Sequence, residues 1–351
     1  MTETQETVAG IPLDRMVGRV RGSVNMIDIH RNVEWVQVSG RWTRMTVMGC
    51  SLSPENLVKE NKGELDDRII IFLIPGNPGN DGFYADFGRR VIRNLIAREE
   101  RLSSKKFQFL FYTISNLNNV ILPPELRCAA SHKVNERFGL DDQVQHKLDF
   151  VKEYLPRGNR VYMFGHSVGA YMLLSILPYI KDDFNLKKAI CLFPTIERMA
   201  DSPHGIRLRK VISTLNQNDW LAKGLSFWMD ILPESMKKWV VSMKLTSEHS
   251  CPELVKSISE LLHMNVFRNV VHLCNDELEK IGALDETLLF HKNLIYFYYG
   301  THDGWCPVGV AEQMSERLAR GHVVIDKDGC EHAFVFRDSA IMADKVLQFI
   351  N

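Results

Sequence analysis

Apolar runs that predict strands alternate along the chain with longer stretches whose apolar residues have helical spacing. Six consecutive apolar residues at 69–74 leave no polar face, which is typical of a strand buried on both sides of a sheet. Further strands are predicted at 107–114, 160–165, 187–195, 293–300 and 321–326. Helices are predicted at 82–100, 139–156, 168–180, 308–319 and 338–350. This succession predicts an α/β fold: a mostly parallel central sheet with helices on both faces.

Two segments depart from this succession. Residues 33–50 alternate between apolar and polar and are rich in Val, Thr and Trp, which predicts two antiparallel strands joined at Ser39 and Gly40. Residues 196–290 contain no buried strand and are rich in Trp, Met and Leu, which indicates a helical insertion after the fourth parallel strand. We predict a lead-in at 1–32, a core at 33–195 and 291–351, and a helical lid insertion at 196–290.

Composition narrows the classes of protein and partner. The hydrophobic fraction of 45% and the charged fraction of 25% are those of a globular protein. Because 43 basic residues balance 43 acidic ones, no net positive field recruits nucleic acid, and no nucleic-acid partner is predicted. Seven scattered cysteines without a Cys-x-x-Cys pair argue against a zinc knuckle or a disulfide framework and favour a reducing compartment. Without a signal-like N-terminus or a long apolar run, we expect any membrane contact to be peripheral.

The sharpest chemical signal is GHSVG at 165–169, a Gly-x-Ser-x-Gly pattern. The pattern alone occurs often by chance, but here it joins a predicted strand to a predicted helix, as a nucleophile elbow requires. In an elbow the turn holds the serine in a strained backbone, and small residues at 165 and 169 let the helix approach the strand. Ser167 is therefore the predicted nucleophile, and a purely structural glycine-rich turn is the alternative.

A serine hydroxyl needs a base, and the base needs an acid that orients it. Elbow folds present these groups in the order Ser, acid, His. Asp303 follows the fifth predicted parallel strand and His332 the sixth, so both lie at the carboxyl edge of the sheet, where such sheets bind ligands. Asp303 is the predicted acid and His332 the predicted base. Asp326 and Asp328 would supply the acid only in an atypical layout.

Three other histidines lie near these positions. His302 adjoins the predicted acid but follows the wrong strand for the base, and His322 begins a strand rather than following one. His166 lies inside the elbow, where a packing role is expected.

Acyl transfer also needs donors for the developing oxyanion. One is the backbone N–H of Val168, directly after the nucleophile. The other comes from the loop PGNPGND at 75–81, with Asn77 as the candidate, Gly76 as the alternative, and a simple tight turn as the non-catalytic interpretation. No Lys-Ser or Lys-Thr follows this loop, so it is not a P-loop. We predict neither a cofactor nor a metal.

The sheet, elbow and triad order resemble the α/β-hydrolase superfamily, and several strings are similar to the lipid droplet-associated hydrolase family. These are IPGNPG at 74–79, LDDQVQHKLDF at 140–150, GHSVGAY at 165–171, LFPTIERMADSPHG at 192–205, YYGTHDGWCP at 298–307 and HAF at 332–334. The resemblance implies an intracellular serine hydrolase of lipid esters, bound to lipid droplets and endoplasmic reticulum on the cytosolic face. It carries the family's triad onto Ser167, Asp303 and His332. Residues 206–270 are the least alike, so lid specificity is the least transferable.

Part of the insertion has an amphipathic pattern. In DWLAKGLSFWMDIL, at 219–232, seven residues fall on one broad helical face: Trp220, Leu221, Gly224, Leu225, Trp228, Ile231 and Leu232. In MKKWVVSMKL the stripe consists of Met236, Trp239, Val240 and Met243, flanked by Lys237, Lys238 and Lys244. Trp and Leu with marginal Lys suit an interfacial helix, whereas packing on the core is the alternative. We take 219–245 as the expected lipid anchor, with Trp228 and Trp239 as its main residues.

Three functions are consistent with these signals. The first is a hydrolase of lipid esters, such as sterol esters or acylglycerols, at a droplet or endoplasmic reticulum surface. The second is a hydrolase or acyltransferase for another acyl substrate, such as a thioester. The third is a non-catalytic droplet scaffold, against which an intact triad argues.

Overall fold

The computed structural model describes residues 28–50, 68–102, 107–127, 135–244 and 251–350. One eight-stranded sheet runs through them in the order β1-β2-β4-β3-β5-β6-β7-β8. The strands are β1 His30–Val38, β2 Arg41–Gly49, β3 Arg68–Ile74, β4 Gln108–Ile114, β5 Arg160–His166, β6 Asn185–Leu192, β7 Ile295–Tyr299 and β8 Val323–Ile325. β2 is antiparallel to β1 and to β4, and every other pairing is parallel.

Eleven α-helices lie in the described ranges. They are α1 Ala85–Leu102, α2 Pro124–Arg127, α3 Leu140–Tyr154, α4 Val168–Ile180, α5 Pro203–Gln217, α6 Asp219–Ile231, α7 Glu234–Lys244, α8 Pro252–Leu261, α9 Met264–Lys280, α10 Val308–Arg317 and α11 Ser339–Lys345. Short 3₁₀ helices occur at Asp81–Tyr84, Met199–Asp201, Glu286–Leu289, Phe334–Phe336 and Val346–Phe349.

The predicted α/β fold, a mostly parallel central sheet whose strands alternate with helices, is confirmed. Every residue of β3 is buried, because parallel strands pair on both of its edges and helices cover the sheet. The predicted hairpin at 33–50 corresponds to β1 and β2, in which Val38 pairs with Arg41 across the turn.

Two predicted elements differ in detail from the structure. The first residues of the helix predicted at 82–100 form a 3₁₀ turn instead, Asp81–Tyr84, and α1 begins at Ala85. Asn80 caps this turn, because its side chain accepts the Gly82 N–H. The helix predicted at 338–350 is shorter in the structure: α11 ends at Lys345, and the chain continues as the 3₁₀ turn Val346–Phe349. Bonds of the i→i+3 type commonly tighten the last turn of a helix.

Five helices, α5 to α9, separate β6 from β7. Ser202 begins α5 as its N-cap by accepting the Gly205 N–H, and Pro203 occupies the first turn, where a missing N–H costs nothing. α9 packs on α5, and α8 packs on the 3₁₀ turn Asp81–Tyr84. The division of the chain into lead-in, core and lid stays a prediction, and most of the lead-in, 1–27, lies outside the described residues.

A buried polar cluster joins the hairpin, the loop after β3 and α8. Arg44 Nε donates to Asp81 at 2.7 Å, and Arg44 Nη1 donates to Glu260 at 2.7 Å. The Asn80 amide also donates to Glu260, at 2.6 Å. Because each buried charge has an opposite charge and hydrogen bonds, the cluster fixes α8 against the sheet.

Within the described ranges, no helix is both long enough and apolar enough to cross a bilayer.

Candidate active site

Ser167 lies in a sharp turn between β5 and α4. β5 ends at His166 and α4 begins at Val168, as the sequence predicts. Ser167 has φ 55° and ψ −125°, a conformation that a side chain disfavours. Its N–H donates to the Leu192 carbonyl at 2.9 Å, so the neighbouring strand holds the strained residue in place.

The two glycines of the motif allow close backbone contacts. A Cβ at Gly169 would collide with the carbonyl oxygens of Ile74 and Pro75, and one at Gly165 would collide with the backbone of α4. Side chains at these positions would push the helix away from β3 and β5. The close approach predicted for 165 and 169 is therefore present.

The structure brings the three predicted residues together. His332 Nε2 lies 2.9 Å from Ser167 Oγ, and His332 Nδ1 lies 2.6 Å from Asp303 Oδ2. Ser167 is 9% exposed and Asp303 7%, so these two residues are largely shielded from water, whereas His332 is partly buried. In this geometry His332 can accept a proton from Ser167 while Asp303 fixes its Nδ1–H tautomer.

Four donors surround the Asp303 carboxylate. Oδ1 accepts the N–H of Trp305 at 2.7 Å and that of Cys306 at 3.1 Å. Oδ2 accepts the Cys306 thiol at 2.8 Å as well as the His332 ring. Burial alone would raise the pKa of Asp303, but the hydrogen bonds and charge of His332, with the Cys306 and Trp305 bonds, lower it below its usual value.

Cys306 is a site residue that sequence reasoning missed. Burial, together with the neighbouring Asp303 charge, raises the pKa of its thiol well above the usual value, so the thiol stays protonated as a donor. The one feature of the sequence that could have indicated Cys306 is its position three residues after Asp303 in the same loop. Asp303, Cys306 and His332 also bring ligand atoms within 4.8 Å of one another, and the hydrogen bonds among them account for this spacing.

The rival histidines are not placed to act on Ser167. The His302 ring is exposed, with Nδ1 3.1 Å from the Thr301 hydroxyl. His322 directs Nδ1 to the Ile295 carbonyl at 2.8 Å. His166 is buried, as expected, against the rings of Phe193 and Phe334, but it also makes two hydrogen bonds.

The rival acids have other contacts. Asp326 accepts the Tyr298 hydroxyl at 2.5 Å and the Cys330 N–H at 2.7 Å, so it holds the start of the loop that carries His332. Asp328 forms an ion pair with Lys345. Neither carboxylate is the one bound to the His332 ring.

The predicted oxyanion donors belong to the start of α4 and to the loop after β3. Val168 is the first residue of α4, where backbone N–H groups have no partner within the helix. The Gly76 N–H already donates to the Tyr84 hydroxyl at 3.1 Å, which favours Asn77 over Gly76 as the second donor. That Asn77 and Val168 act as the oxyanion hole stays a prediction.

The Asn77 side chain is bound by α9. Its amide donates to the Val270 carbonyl at 3.0 Å and to Glu277 Oε1 at 3.1 Å. Burial, with a smaller contribution from Asp276, raises the pKa of Glu277 to about 8. The Glu277 carboxyl is therefore mostly protonated at neutral pH, and no motif in the sequence marked it.

Another part of the insertion contacts the loop of the predicted acid. The His204 N–H at the start of α5 donates to the Gly304 carbonyl at 2.9 Å. The His204 ring meets the Trp305 ring edge to face, with centroids 5.3 Å apart. The helices between β6 and β7 thus contact the loops of both Asp303 and Asn77.

A cavity of about 250 Å³ lies between the loop after β4 and the start of α9. Its lining includes none of the five predicted site residues and consists of Asn118, Val120, Ile121, Leu122, Arg127, Asp230, His263, Asn265 and Val266.

A family model described as lipid-droplet associated hydrolase matches residues 67–335. The chain is 30% identical to a Mus musculus lipid droplet-associated hydrolase, over 81% of this chain and 85% of that protein. It is 27% identical to a Drosophila melanogaster protein of the same name, over 80% and 88%.

Two solved structures share the fold at low sequence identity. A peroxisomal α/β-hydrolase of Saccharomyces cerevisiae superposes with a TM-score of 0.58 at 12% identity, covering 93% of this chain and 89% of its own. A bacterial membrane phospholipase A superposes with a TM-score of 0.54 at 13% identity, covering 91% and 86%.

Proposed function

The chain belongs to the lipid droplet-associated hydrolase family, and we propose that it is a serine hydrolase of lipid esters that acts at lipid droplet surfaces. One observation carries the proposal: Ser167, His332 and Asp303 are joined by hydrogen bonds of 2.9 and 2.6 Å at a strained elbow. This geometry suits acyl transfer by a serine nucleophile.

In the proposed reaction Ser167 Oγ attacks the ester carbonyl carbon while His332 Nε2 takes the hydroxyl proton. The carbonyl oxygen becomes an oxyanion, which accepts hydrogen bonds from the backbone N–H groups of Val168 and Asn77. His332 then gives its proton to the departing alcohol oxygen, which leaves an acyl group on Ser167. Water then attacks the acyl carbon while His332 takes its proton. The bond between the acyl carbon and Ser167 Oγ breaks, His332 returns the proton to Oγ, and the carboxylic acid leaves.

Asp303 acts through the ring of His332 in this scheme. Its lowered pKa keeps it ionised at neutral pH, where it stabilises the imidazolium that forms during each proton transfer. The Cys306 thiol and two backbone N–H groups hold the carboxylate in register with the ring.

Exposed apolar residues on α5, α6 and α7 support action at a lipid surface. We call them the apolar surface: Ile206, Val211, Trp220, Phe227, Ile231, Met236, Trp239 and Val240. Trp220 is 75% exposed and Trp239 60%, which favours an interfacial role over packing in the core for these two residues. We propose that the apolar surface enters the droplet boundary. The family name and the droplet association in its relatives' names agree with this.

Two details of the predicted anchor change with the structure. The side chains of Leu225, Trp228 and Met243 are not among those that the structure describes, and Trp220 and Trp239 are the proposed anchor residues. Lys237 does not flank the apolar stripe in solvent as predicted. It is buried, with its amine 3.2 Å from Glu234 and 3.0 Å from the His263 ring, because these partners draw it toward the start of α9.

Labelling with a fluorophosphonate tests the catalytic part of the proposal. We expect purified protein to be labelled and to release fatty acid from emulsified sterol ester or acylglycerol. Labelling with turnover of thioesters alone would favour the second function. A folded protein that is not labelled would be a scaffold.

A further inference from the structure

A chain of hydrogen bonds runs beneath the predicted site from the loop after β3 to the loop after β8. The Gly76 N–H lies 3.1 Å from the Tyr84 hydroxyl, and that hydroxyl lies 2.7 Å from His166 Nδ1. His166 Nε2 lies 2.8 Å from the backbone carbonyl oxygen of His332. Tyr84 and His166 therefore connect the loop of the predicted oxyanion donor with the residue predicted as base.

The two groups in each hydrogen bond decide which of them is the donor and which is the acceptor. A carbonyl oxygen only accepts, so His166 must carry its proton on Nε2. Burial, with a smaller contribution from His332, lowers the pKa of His166 to about 3, so the ring is neutral and Nδ1 has a free lone pair. Tyr84 therefore donates to Nδ1, while its oxygen accepts the Gly76 N–H. Each donor and each acceptor in this chain of hydrogen bonds is used once. Only one tautomer of His166 satisfies all of them.

We propose that Tyr84 and His166 are positioning residues that fix the oxyanion loop and the base relative to Ser167. The inference rests on the proposed function. It extends the assignment to two residues outside the predicted triad and outside the two predicted oxyanion donors.

Packing leaves this pair little freedom to move. A Cβ at Gly76 would lie 2.9 Å from Ser167 Cβ and 2.9 Å from the His166 carbonyl oxygen, so the loop runs directly against the elbow. The His166 ring meets Phe334 with centroids 4.9 Å apart and Phe193 at 6.3 Å. A small shift of Tyr84 or His166 is thus transmitted to the loop and to the base.

Removing the Tyr84 hydroxyl breaks both of its bonds and leaves the ring in place. In Tyr84→Phe the Gly76 N–H loses its acceptor and His166 loses the donor that selects its tautomer. Displacement of reacting groups by about an ångström costs on the order of a hundredfold in rate. We expect Tyr84→Phe to slow fluorophosphonate labelling of Ser167 by roughly tenfold to a hundredfold and to lower kcat with little change in KM.

The matched control is Tyr299→Phe. Tyr299 is also fully buried, but its hydroxyl has no hydrogen-bond partner among the described residues, so losing it should leave the labelling rate unchanged. Thermal unfolding of both variants checks that the fold is intact. Wild-type protein that is not labelled at all contradicts the proposed function. Wild type and Tyr84→Phe labelled at equal rates contradict the positioning role alone.

A second pair of variants tests His166 itself. Glutamine offers an amide N–H toward the His332 carbonyl and an oxygen toward Tyr84, whereas phenylalanine fills the apolar space without either. We expect His166→Gln to recover most of the labelling rate that His166→Phe loses. Equal rates in the two variants, at matched unfolding temperatures, would overturn the proposal.

Discussion

The loops at the carboxyl edge of the sheet and the apolar surface of α5–α7 differ in which side chains they bury and which they expose to solvent. At the sheet edge, polar side chains such as Asp303, His166 and Asp326 are buried and hydrogen-bonded to named partners. On α6 and α7, large apolar side chains such as Trp220 and Trp239 are left in solvent. A folded chain tolerates a buried polar group only when it is paired, and a large exposed apolar group commonly marks a surface that another phase or partner covers.

This difference in burial matches the two proposed roles, ester hydrolysis at the edge loops and droplet binding at the apolar surface. The edge loops have little freedom, which fits groups that must meet within a few tenths of an ångström. Binding of the apolar surface to a droplet would depend only on its area and its side-chain types, because the burial of apolar area is non-directional. Changes at the edge should therefore affect turnover, and changes on the apolar surface should affect droplet binding. Each of the following variants tests one side of this division.

The largest effect is expected from Ser167→Ala. Loss of the nucleophile costs on the order of 10⁶-fold in kcat in a serine hydrolase. The variant should still float with lipid droplets, since the apolar surface is untouched. Ester hydrolysis within tenfold of wild type would refute the assignment of Ser167.

Asp303→Asn should reduce kcat by about 10⁴-fold, because the amide no longer holds the tautomer and charge that His332 needs. Asp326→Asn is the matched control: Asp326 is also a buried carboxylate near the base, but it binds Tyr298 and Cys330 instead of the ring. We expect its activity to stay within about tenfold of wild type. If Asp326→Asn is the more damaging change, the acid is misassigned.

Glu277→Gln tests the contact between α9 and the loop of Asn77 through the pH dependence of stability. The folded-state pKa of about 8 lies above the ordinary value of 4.5, so the folded protein holds a proton that the unfolded chain releases between these pH values. Wild-type stability should therefore fall as the pH rises from about 5 to 8, by up to about 4 kcal/mol from this group. The variant keeps an acceptor for the Asn77 amide and removes this dependence.

Thermal or urea unfolding at pH 5 and pH 8 measures the effect of Glu277→Gln. The unfolding temperature of the variant should exceed that of wild type at pH 8, and the difference should shrink toward pH 5. Parallel curves for the two proteins across this range would show that Glu277 is not protonated in the folded state.

The smallest effect is expected from Trp220→Ser combined with Trp239→Ser. Exposing one large apolar side chain instead of burying it costs about 1.5–3 kcal/mol, so losing both tryptophans costs about 3 kcal/mol or more, and the ratio of droplet-bound to free protein should fall at least roughly a hundredfold. Fluorophosphonate labelling in solution should be unchanged. Flotation with artificial droplets that have a triacylglycerol core measures the ratio.

Tyr179→Ser is the control for the double variant. Tyr179 is 64% exposed, but it lies on α4 next to the sheet and outside the apolar surface. Its replacement should not change flotation. A double variant that stays on droplets, or wild type that high salt alone releases, would show that another segment or an electrostatic contact holds the protein there.

Much of the fold is predictable from local patterns. Strands β3 and β5 are visible as apolar runs because burial on both faces leaves no polar positions, and the GHSVG turn is visible because its context is local. The order Ser, Asp, His selected the three residues that the structure brings within hydrogen-bond distance. The helices predicted at 82–100 and 338–350 differ from the structure at one end, where weak hydrogen bonds decide between α and 3₁₀ turns.

The partners of these residues are not predictable in the same way. Tyr84, Cys306 and Glu277 carry no motif, and their roles depend on contacts with residues far along the chain, such as Glu277 with Asn77. The failed placement of Lys237 has the same origin. Its sequence position indicated a solvated margin, but Glu234 and His263 meet there and bury its amine.

The sequence by itself determined the class of fold, the elbow and the residue types of the predicted site, because each depends on periodicity, spacing or a turn of a few residues. Only the tertiary structure decided which donors hold Asp303, which tautomer His166 adopts and which tryptophans reach solvent. The physical reason is that protonation, hydrogen-bond direction and exposure depend on every group packed around a side chain. Those groups come together only when distant segments fold onto one another.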